Sequence, residues 1–395
     1  MKVAIVGKGT SSIITAMTLI ERGHQVDIFY DPNTPHLKIG ESTTPAIAGL
    51  INSVFDLGIT DLINLGIVSL KCGVRFINWG VGNSFIHGFN SNKNNSIACH
   101  FNTPKFNQFF HTKLREEKGV NYFPERVDDY KVDVDSNTVI VNEKVYDFLV
   151  FCSGWNETDE YEKPEFETVN SVLTYSIDGI IDPISTIHEA TEDGWQFGLP
   201  FPQENLTRRG YLFNSNLISS EEVSEKLNLK NSNKYEWTPK YAKKLIQNKF
   251  VAYNGNRLFF FDPLHALALH YYLIFASSIC EYLESGKMYQ SYIYNNSNYV
   301  HEIYKHQLSL AWHYRYGSIY DSKYWNNVKE QSTKFMESLP YGKMNYILDN
   351  FSIDYVNRSE EQFSIGTFTY PDFRMVHSGM TGMNIDEIFN HHIFG

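Results

Sequence analysis

The chain has few cysteines, no excess of positive charge and no long apolar run, and each shortage removes a class of protein. Its four cysteines, Cys72, Cys99, Cys152 and Cys280, are widely spaced and form no C-x-x-C pair. Neither a disulfide framework nor a zinc site is implied, so no metal is expected and a reducing cytoplasm is the expected location. Lys and Arg number 34 against 45 Asp and Glu, a formal net charge of −11. Such a surface has little with which to neutralise phosphates, which argues against nucleic acid or an anionic membrane as a partner. One lysine precedes the first apolar strand, too little for a signal peptide. The most apolar later stretch, Ala266 to Tyr282, carries His270 and a tyrosine pair and is short for a membrane span, so a buried helix is expected there.

Aromatic residues are plentiful: 28 Phe, 26 Tyr and 6 Trp make 15% of the chain. They serve either to fill a large core or to line a cavity for a flat ring, and counts alone favour the core. A length of 395 residues exceeds one ordinary core, so two sub-domains or one domain with insertions are expected.

Val3-Ala4-Ile5-Val6 is fully apolar, as befits a central parallel strand buried on both faces. It passes into Gly7-Lys8-Gly9-Thr10-Ser11-Ser12, then a helix over Ile13–Glu21 closed by Arg22-Gly23, then a strand over Gln25–Tyr30 ending at Asp31. Strand, glycine turn, helix and strand in this order read as a βαβ unit of Rossmann-like type. Gly7 permits the tight turn and Gly9 lets backbone approach a pyrophosphate, with the helix N-terminus facing it. Thr10 and Ser12 belong to the same turn; Ser12 stands where a third glycine is usual and is small enough to be tolerated. Asp31 is placed to accept from an adenosine ribose, though an Asp-Pro pair equally opens a turn. Downstream, the sequence predicts a loop over Pro32–Pro45, helices to about Leu65 and one strand over Val68–Trp79. Further strands are expected over Thr138–Asn142, Phe148–Cys152 and, as a pair, Asp193–Asn216. Strand-like chain over Lys249–Phe261 then leads into a helix over His265–Ser285, with mostly helical chain beyond Met288.

Several segments carry a family resemblance. Tyr146-Asp147-Phe148-Leu149-Val150-Phe151-Cys152-Ser153-Gly154 resembles a flavin-side strand of FAD-dependent hydroxylases and halogenases, and Lys249–Leu264 resembles their second flavin segment, with Gly255-Asn256 in place of Gly-Asp. Gly40-Glu41-Ser42-Thr43-Thr44-Pro45 is similar to a flavin strap, and Leu70–Trp79 to a strand bearing a catalytic lysine, which falls on Lys71. Trp195-Gln196-Phe197-Gly198-Leu199-Pro200 is similar to a W-x-W-x-I-P signature, and Asp262-Pro263-Leu264 to the opening of a halide-binding helix. His313-Tyr314 and Asp321–Trp325 resemble a substrate-side segment. Over about Met1 to Trp325 the chain thus resembles the flavin-dependent halogenases of the tryptophan-halogenase-like family.

The resemblance implies an α/β fold: a Rossmann-like FAD module of the aromatic-hydroxylase and halogenase type with a mostly helical substrate module. Residues 1–285 would form the FAD box, with substrate-side sheet segments inserted at about 86–137 and 160–245, and residues 286–395 the helical module. FAD would be held by Gly7, Gly9, Thr10, Ser12, Asp31, Gly40, Glu41, Ser42, Gly154, Asn256, Asp262 and Pro263. A separate flavin reductase would supply FADH2 in transient encounters. With O2 and a halide ion, hypohalous acid would form and reach a small aromatic substrate through Lys71. By strand alternation alone Lys71 shares a row with Gly73, Arg75 and Ile77, a solvated face or a polar cavity; the resemblance selects the cavity. Trp195, Phe197 and Pro200 would keep the substrate off the flavin, Trp325 would line its site, and His87 would either line it or serve as a satisfied core histidine. His265 replaces the glutamate of tryptophan-specific members and serves either as a base or as lining. Leu267 and Ala268 occupy the halide loop, a departure that favours bromide or iodide over chloride. A flavin monooxygenase and a non-catalytic flavin-binding homologue are the alternatives, and homo-oligomerisation is left open.

Overall fold

The computed structural model describes residues 1–34, 41–82, 84–89, 97–155, 160–338, 364–365 and 368–382. The chain divides into two compact units, each assembled from three separate stretches of sequence. The first comprises residues 1–70, 98–163 and 240–301, and the second residues 71–97, 164–239 and 302–395.

The first unit is built on a six-stranded sheet ordered Ile246–Asn248, Val251–Tyr253, Phe148–Phe151, Lys2–Val6, Gln25–Phe29 and Asn121–Phe123. All neighbouring pairs are parallel except the first. The central strands are buried almost throughout, as their unbroken apolar runs require of strands covered on both faces. The helix Thr10–Glu21 follows the first strand and is buried along its first ten residues. Two of its buried hydroxyls are satisfied within the helix, Thr15 donating to the Ser11 carbonyl at 2.7 Å and Thr18 to that of Ile14 at 2.8 Å. Asp27, buried in the second strand, accepts from Tyr146 at 2.9 Å and Asn121 at 2.8 Å and pairs with Lys2 at 3.1 Å.

The second unit is built on a seven-stranded sheet ordered Asn233–Glu236, Ser171–Asp178, Leu206–Phe213, Gly194–Phe201, Ser185–Thr191, Gly73–Ile77 and Phe85–Gly88. Its pairs are antiparallel except Ser185–Thr191 against Gly73–Ile77. The expected strand pair within Asp193–Asn216 is Gly194–Phe201 against Leu206–Phe213. The helices Lys323–Ser338 and Tyr370–Thr381 belong to this unit, as do residues 302–314 of the helix Tyr289–Tyr314.

The α/β class expected from the sequence is what the structure shows. One predicted element is corrected: Val68–Trp79 is not a single strand. It breaks at Cys72 into Val68–Lys71, which joins a small sheet with Glu41–Ser42 and Ala98–Phe101, and Gly73–Ile77 in the large sheet. The backbone of Cys72 bonds to the large sheet on both sides, donating to the Ile184 carbonyl at 2.7 Å and accepting from the Phe89 amide at 3.0 Å. The inside–outside phase slips there, so Lys71 is buried while Leu70 is half-exposed. Among the described residues no helix is long and apolar enough to cross a membrane, and no cluster of His, Cys, Asp and Glu could hold a metal.

Candidate active site

In the first unit, the turn after the first strand is shaped by close approach. Gly7 has φ of +127°, and a Cβ there would lie 2.7 Å from the Cys152 carbonyl oxygen. Only glycine fits, because the turn presses against the end of the Phe148–Phe151 strand. Cys152 itself is buried, which pushes its thiol up to about 12 and leaves it protonated. Gly9 is the reverse case: a Cβ there would meet nothing within 4 Å. It precedes the helix Thr10–Glu21, whose first turn no side chain caps. An open backbone at a helix N-terminus fits a pyrophosphate. Ser12 is wholly buried and donates to the Gly9 carbonyl at 2.6 Å, so it stiffens the turn from inside. Thr10 donates to Asn107 at 3.1 Å.

Asp31 behaves as a turn opener: its Oδ1 accepts from the Asn33 amide at 2.8 Å. Gly40 lies outside the described residues, and of Glu41 only the strand backbone is described. Ser42 is buried and pairs with His100, while Thr43 and Cys99 exchange bonds through the Thr43 amide at 2.9 Å and the Cys99 amide at 3.1 Å. Thr44 and His270 Nδ1 are 3.2 Å apart.

Gly154 is exposed, and its carbonyl accepts from Arg257 at 3.4 Å. Arg257 is buried with its guanidinium 4.9 Å from the Phe151 ring and 5.0 Å from that of Tyr253. Sequence reasoning passed over this cation, although it directly follows Gly255-Asn256. It brings positive charge to a segment where Asn256 had replaced an acid. Asn256 accepts from the Tyr272 hydroxyl at 2.8 Å. Asp262 is buried, Pro263 half-buried, and the Asp262 carboxylate accepts from the Leu264 amide at 2.7 Å. His265 is half-buried. Ala266 has a left-handed φ of +52°, Leu267 caps the helix with its backbone, and Ala268 is the first helical residue. The position under conformational stress is thus Ala266, not Ala268.

In the second unit, Lys71 is 2% exposed and its Nζ lies 5.1 Å from the centroid of the Phe89 ring. Phe89 meets His87 edge-on at 5.8 Å, and His87 donates from Nε2 to Asp372 Oδ1 at 2.9 Å. Asp372 was missed by sequence reasoning: it is 285 residues from its partner, in a stretch without a recognisable motif. Trp195 and Trp325 are fully buried, donating to the Tyr314 hydroxyl at 2.8 Å and the Thr191 carbonyl at 2.6 Å. Trp79 packs on both, at 6.2 and 5.1 Å, and on His313 at 5.1 Å. His313 is sealed in this cluster, and burial lowers its pKa to about 3, keeping it neutral. Phe197 is half-buried over Gly210, and Pro200 is buried.

The first unit thus carries a glycine turn with open backbone at a helix N-terminus, within an α/β fold, and the second a lysine buried beside an aromatic ring. The sequence profile described as tryptophan halogenase matches residues 2–97 and 90–340, and the chain belongs to this family of flavin-dependent enzymes. Solved structures of similar fold include a tryptophan halogenase from Shewanella frigidimarina, 18% identical with a TM-score of 0.81, covering 96% of this chain and 88% of that one. A tryptophan 6-halogenase from Streptomyces toxytricini is 16% identical with a TM-score of 0.78, covering 96% and 90%. The flavin-dependent halogenase BrvH from a Brevundimonas species is 16% identical with a TM-score of 0.76, covering 96% and 89%. No curated protein matches the chain.

Proposed function

We propose that the protein halogenates an electron-rich arene, using FADH2, O2 and halide, with hypohalous acid handed to the substrate at Lys71. The observation that carries this reading is the burial of Lys71 over the Phe89 ring. A lysine on a solvated strand face has no evident part in catalysis. One withdrawn from water against an aromatic ring is suited to donate a hydrogen bond to hypohalous acid, or as an amine to carry the halogen. Held by the Gly7–Ser12 turn and the Gly154 and Asn256–Arg257 segments, the cofactor would supply the oxidising power that turns halide into hypohalous acid, a separate flavin reductase returning it to FADH2. Gly40, Glu41 and Ser42 would cover it, and Asp262 and Pro263 would set the loop beside it. Trp195, Phe197 and Pro200 would act as a wall, keeping the arene from meeting the oxidant early. His265 would face the substrate as base or lining.

Removing the Lys71 amine tests the proposal. Lys71→Ala should abolish halogenated product while FADH2 oxidation continues nearly unchanged. The assay needs a flavin reductase, indoles, phenols and anilines, and chloride, bromide or iodide in turn. Product within a few-fold of wild type would remove Lys71 from the mechanism, and hydroxylated product without halide would identify a monooxygenase.

The same assay reads halide preference. Chloride is small and strongly hydrated, so its capture needs well-aimed N–H donors. Leu267 puts apolar bulk beside the proposed site, and Ala266 holds the preceding backbone in a strained shape. Turnover with bromide or iodide should exceed that with chloride at equal concentration. Leu267→Thr with Ala268→Gly should raise chloride use relative to bromide. Equal rates in the wild type would refute the loop argument.

A further inference from the structure

The His87–Asp372 pair is a polar contact close to Lys71 that the proposed halogen transfer does not use. His87 lies on the strand Phe85–Gly88, opposite Val74 of the strand Gly73–Ile77. The hairpin closes towards Lys71 through the Phe89 amide, bonded to the Cys72 carbonyl at 3.0 Å. Lys71, Phe89 and His87 therefore form a continuous series, ammonium over ring and ring against imidazole. Phe368 flanks the imidazole at 5.7 Å.

Asp372 arrives on the helix Tyr370–Thr381, which is seated tightly on this hairpin. A Cβ at Gly379 would lie 2.2 Å from the Phe85 ring, and the Met380 carbonyl accepts from the Val81 amide at 3.0 Å. The helix thus holds the carboxylate in place. Because a carboxylate only accepts, the bond of 2.9 Å fixes the proton of neutral His87 on Nε2. Nδ1 is then the basic nitrogen, and among the described residues it has no hydrogen-bond partner. An aspartate on one nitrogen orients the ring and stabilises the imidazolium formed when the other takes a proton. Lys71 beyond Phe89 and the sealed, neutral His313 are titratable groups near the ring.

We propose that His87, oriented by Asp372, takes the hydroxyl proton of a hydroxyarene, and that the substrate class of this site is phenols. The proposal rests on the halogenation reading above. The phenol O–H bond breaks, its proton goes to His87 Nδ1 and its electron pair stays on oxygen. The electron-rich ring attacks the halogen of hypohalous acid, forming a carbon–halogen bond as the halogen–oxygen bond breaks. The hydroxide released takes up the ring proton as water, and His87 returns its proton to the phenolate oxygen. Arene and hypohalous acid thus give haloarene and water. Imidazole suits this role, because a phenol, with pKa near 10, is within reach of a histidine base, whereas an indole N–H is a far weaker acid.

The test separates this step from halogenation. A ring-fluorinated phenol is titrated in complex with the FAD-loaded protein, its fluorine NMR shift reporting ionisation. The expected result is a bound pKa at least about one unit below that of the free phenol, equivalent to a tenfold preference for phenolate. His87→Gln and Asp372→Asn should both remove the shift, and Asp372→Glu should restore part of it. In turnover, His87→Gln should lower kcat for a phenol by roughly a hundredfold and Asp372→Asn by at least about tenfold, with KM little changed. A shift that survives Asp372→Asn would assign phenolate stabilisation to Lys71 and overturn the dyad. Failure of every hydroxyarene to bind would overturn the substrate class. If the shift is present and lost in both variants while no arene is halogenated with any halide, the dyad stands and the halogenation reading fails.

Discussion

The candidate site residues of the two units are placed by different kinds of chemistry. The first depends on backbone: its glycine turn works because Gly7 can press against the Cys152 carbonyl and Gly9 leaves space open. The second depends on side chains brought from far apart, such as Trp195 to Tyr314, Trp325 to Thr191 and His87 to Asp372. Backbone constraints are written in a few adjacent letters. Side-chain pairings of this range leave no local trace, so the first unit announces its ligand in the sequence and the second does not.

The sharpest contrast is expected in acid. His306 and His313 are fully enclosed and burial holds each at about 3, with His377 at about 4; all three belong to the second unit. Their folded values lie below the unfolded one near 6.5, so the unfolded chain takes up protons first. Their contribution to stability is present above the unfolded value near 6.5 and is lost as pH falls towards about 4 and 3. The two fully enclosed histidines alone give a slope approaching about 3 kcal/mol per pH unit. In the first unit His24 is also lowered, but it is only half-buried and contributes less. Urea midpoints from pH 7 to pH 5 check this, with His306→Gln and His313→Gln each flattening the slope. A midpoint constant over that range would contradict the assignment.

The glycine pair sharpens the comparison from the other side. Gly7→Ala should destabilise the protein by on the order of 3 kcal/mol, since the new Cβ meets backbone that cannot rotate away. Gly9→Val should leave the melting temperature nearly unchanged yet abolish FAD binding, because the branched side chain would fill the proposed pyrophosphate position. Wild-type affinity should be micromolar, weakened by Ser12 in place of a third glycine. Flavin fluorescence and thermal melts separate the two effects. Equal losses of stability from both variants would show that Gly9 is structural.

The smallest expected effect is a gain. Ala266 holds a left-handed φ of +52° that glycine adopts without penalty. Ala266→Gly should stabilise the protein by roughly 1 kcal/mol. No gain in the urea midpoint would mean that the surrounding loop relaxes the strain.

Legibility in the sequence followed the same division. The opening strand, glycine turn, helix and second strand were readable to within a turn of helix, because apolar runs and glycines record local conformation. Val68–Trp79 was misread as one strand because period-two alternation assumes an unbroken sheet, and the phase slip at Cys72 depends on bonds to Ile184 and Phe89. The burial of Lys71 follows from that slip. Arg257 stood in plain view beside Gly255-Asn256, but its stacking between Phe151 and Tyr253 requires knowing which strands are neighbours. Asp372 had no signal at all.

The composition of each unit from three separate stretches bears on how the chain acquires its structure during synthesis. A ribosome delivers residues in order, yet the strand Val251–Tyr253 that flanks Phe148–Phe151 is made long after the opening strands. The hairpin carrying His87 waits longer still, for a helix nearly three hundred residues downstream. Neither unit can close while the chain is short, so both expose apolar strand edges through most of translation. Contacts of such range fold slowly, and exposed apolar edges in half-made chains favour aggregation.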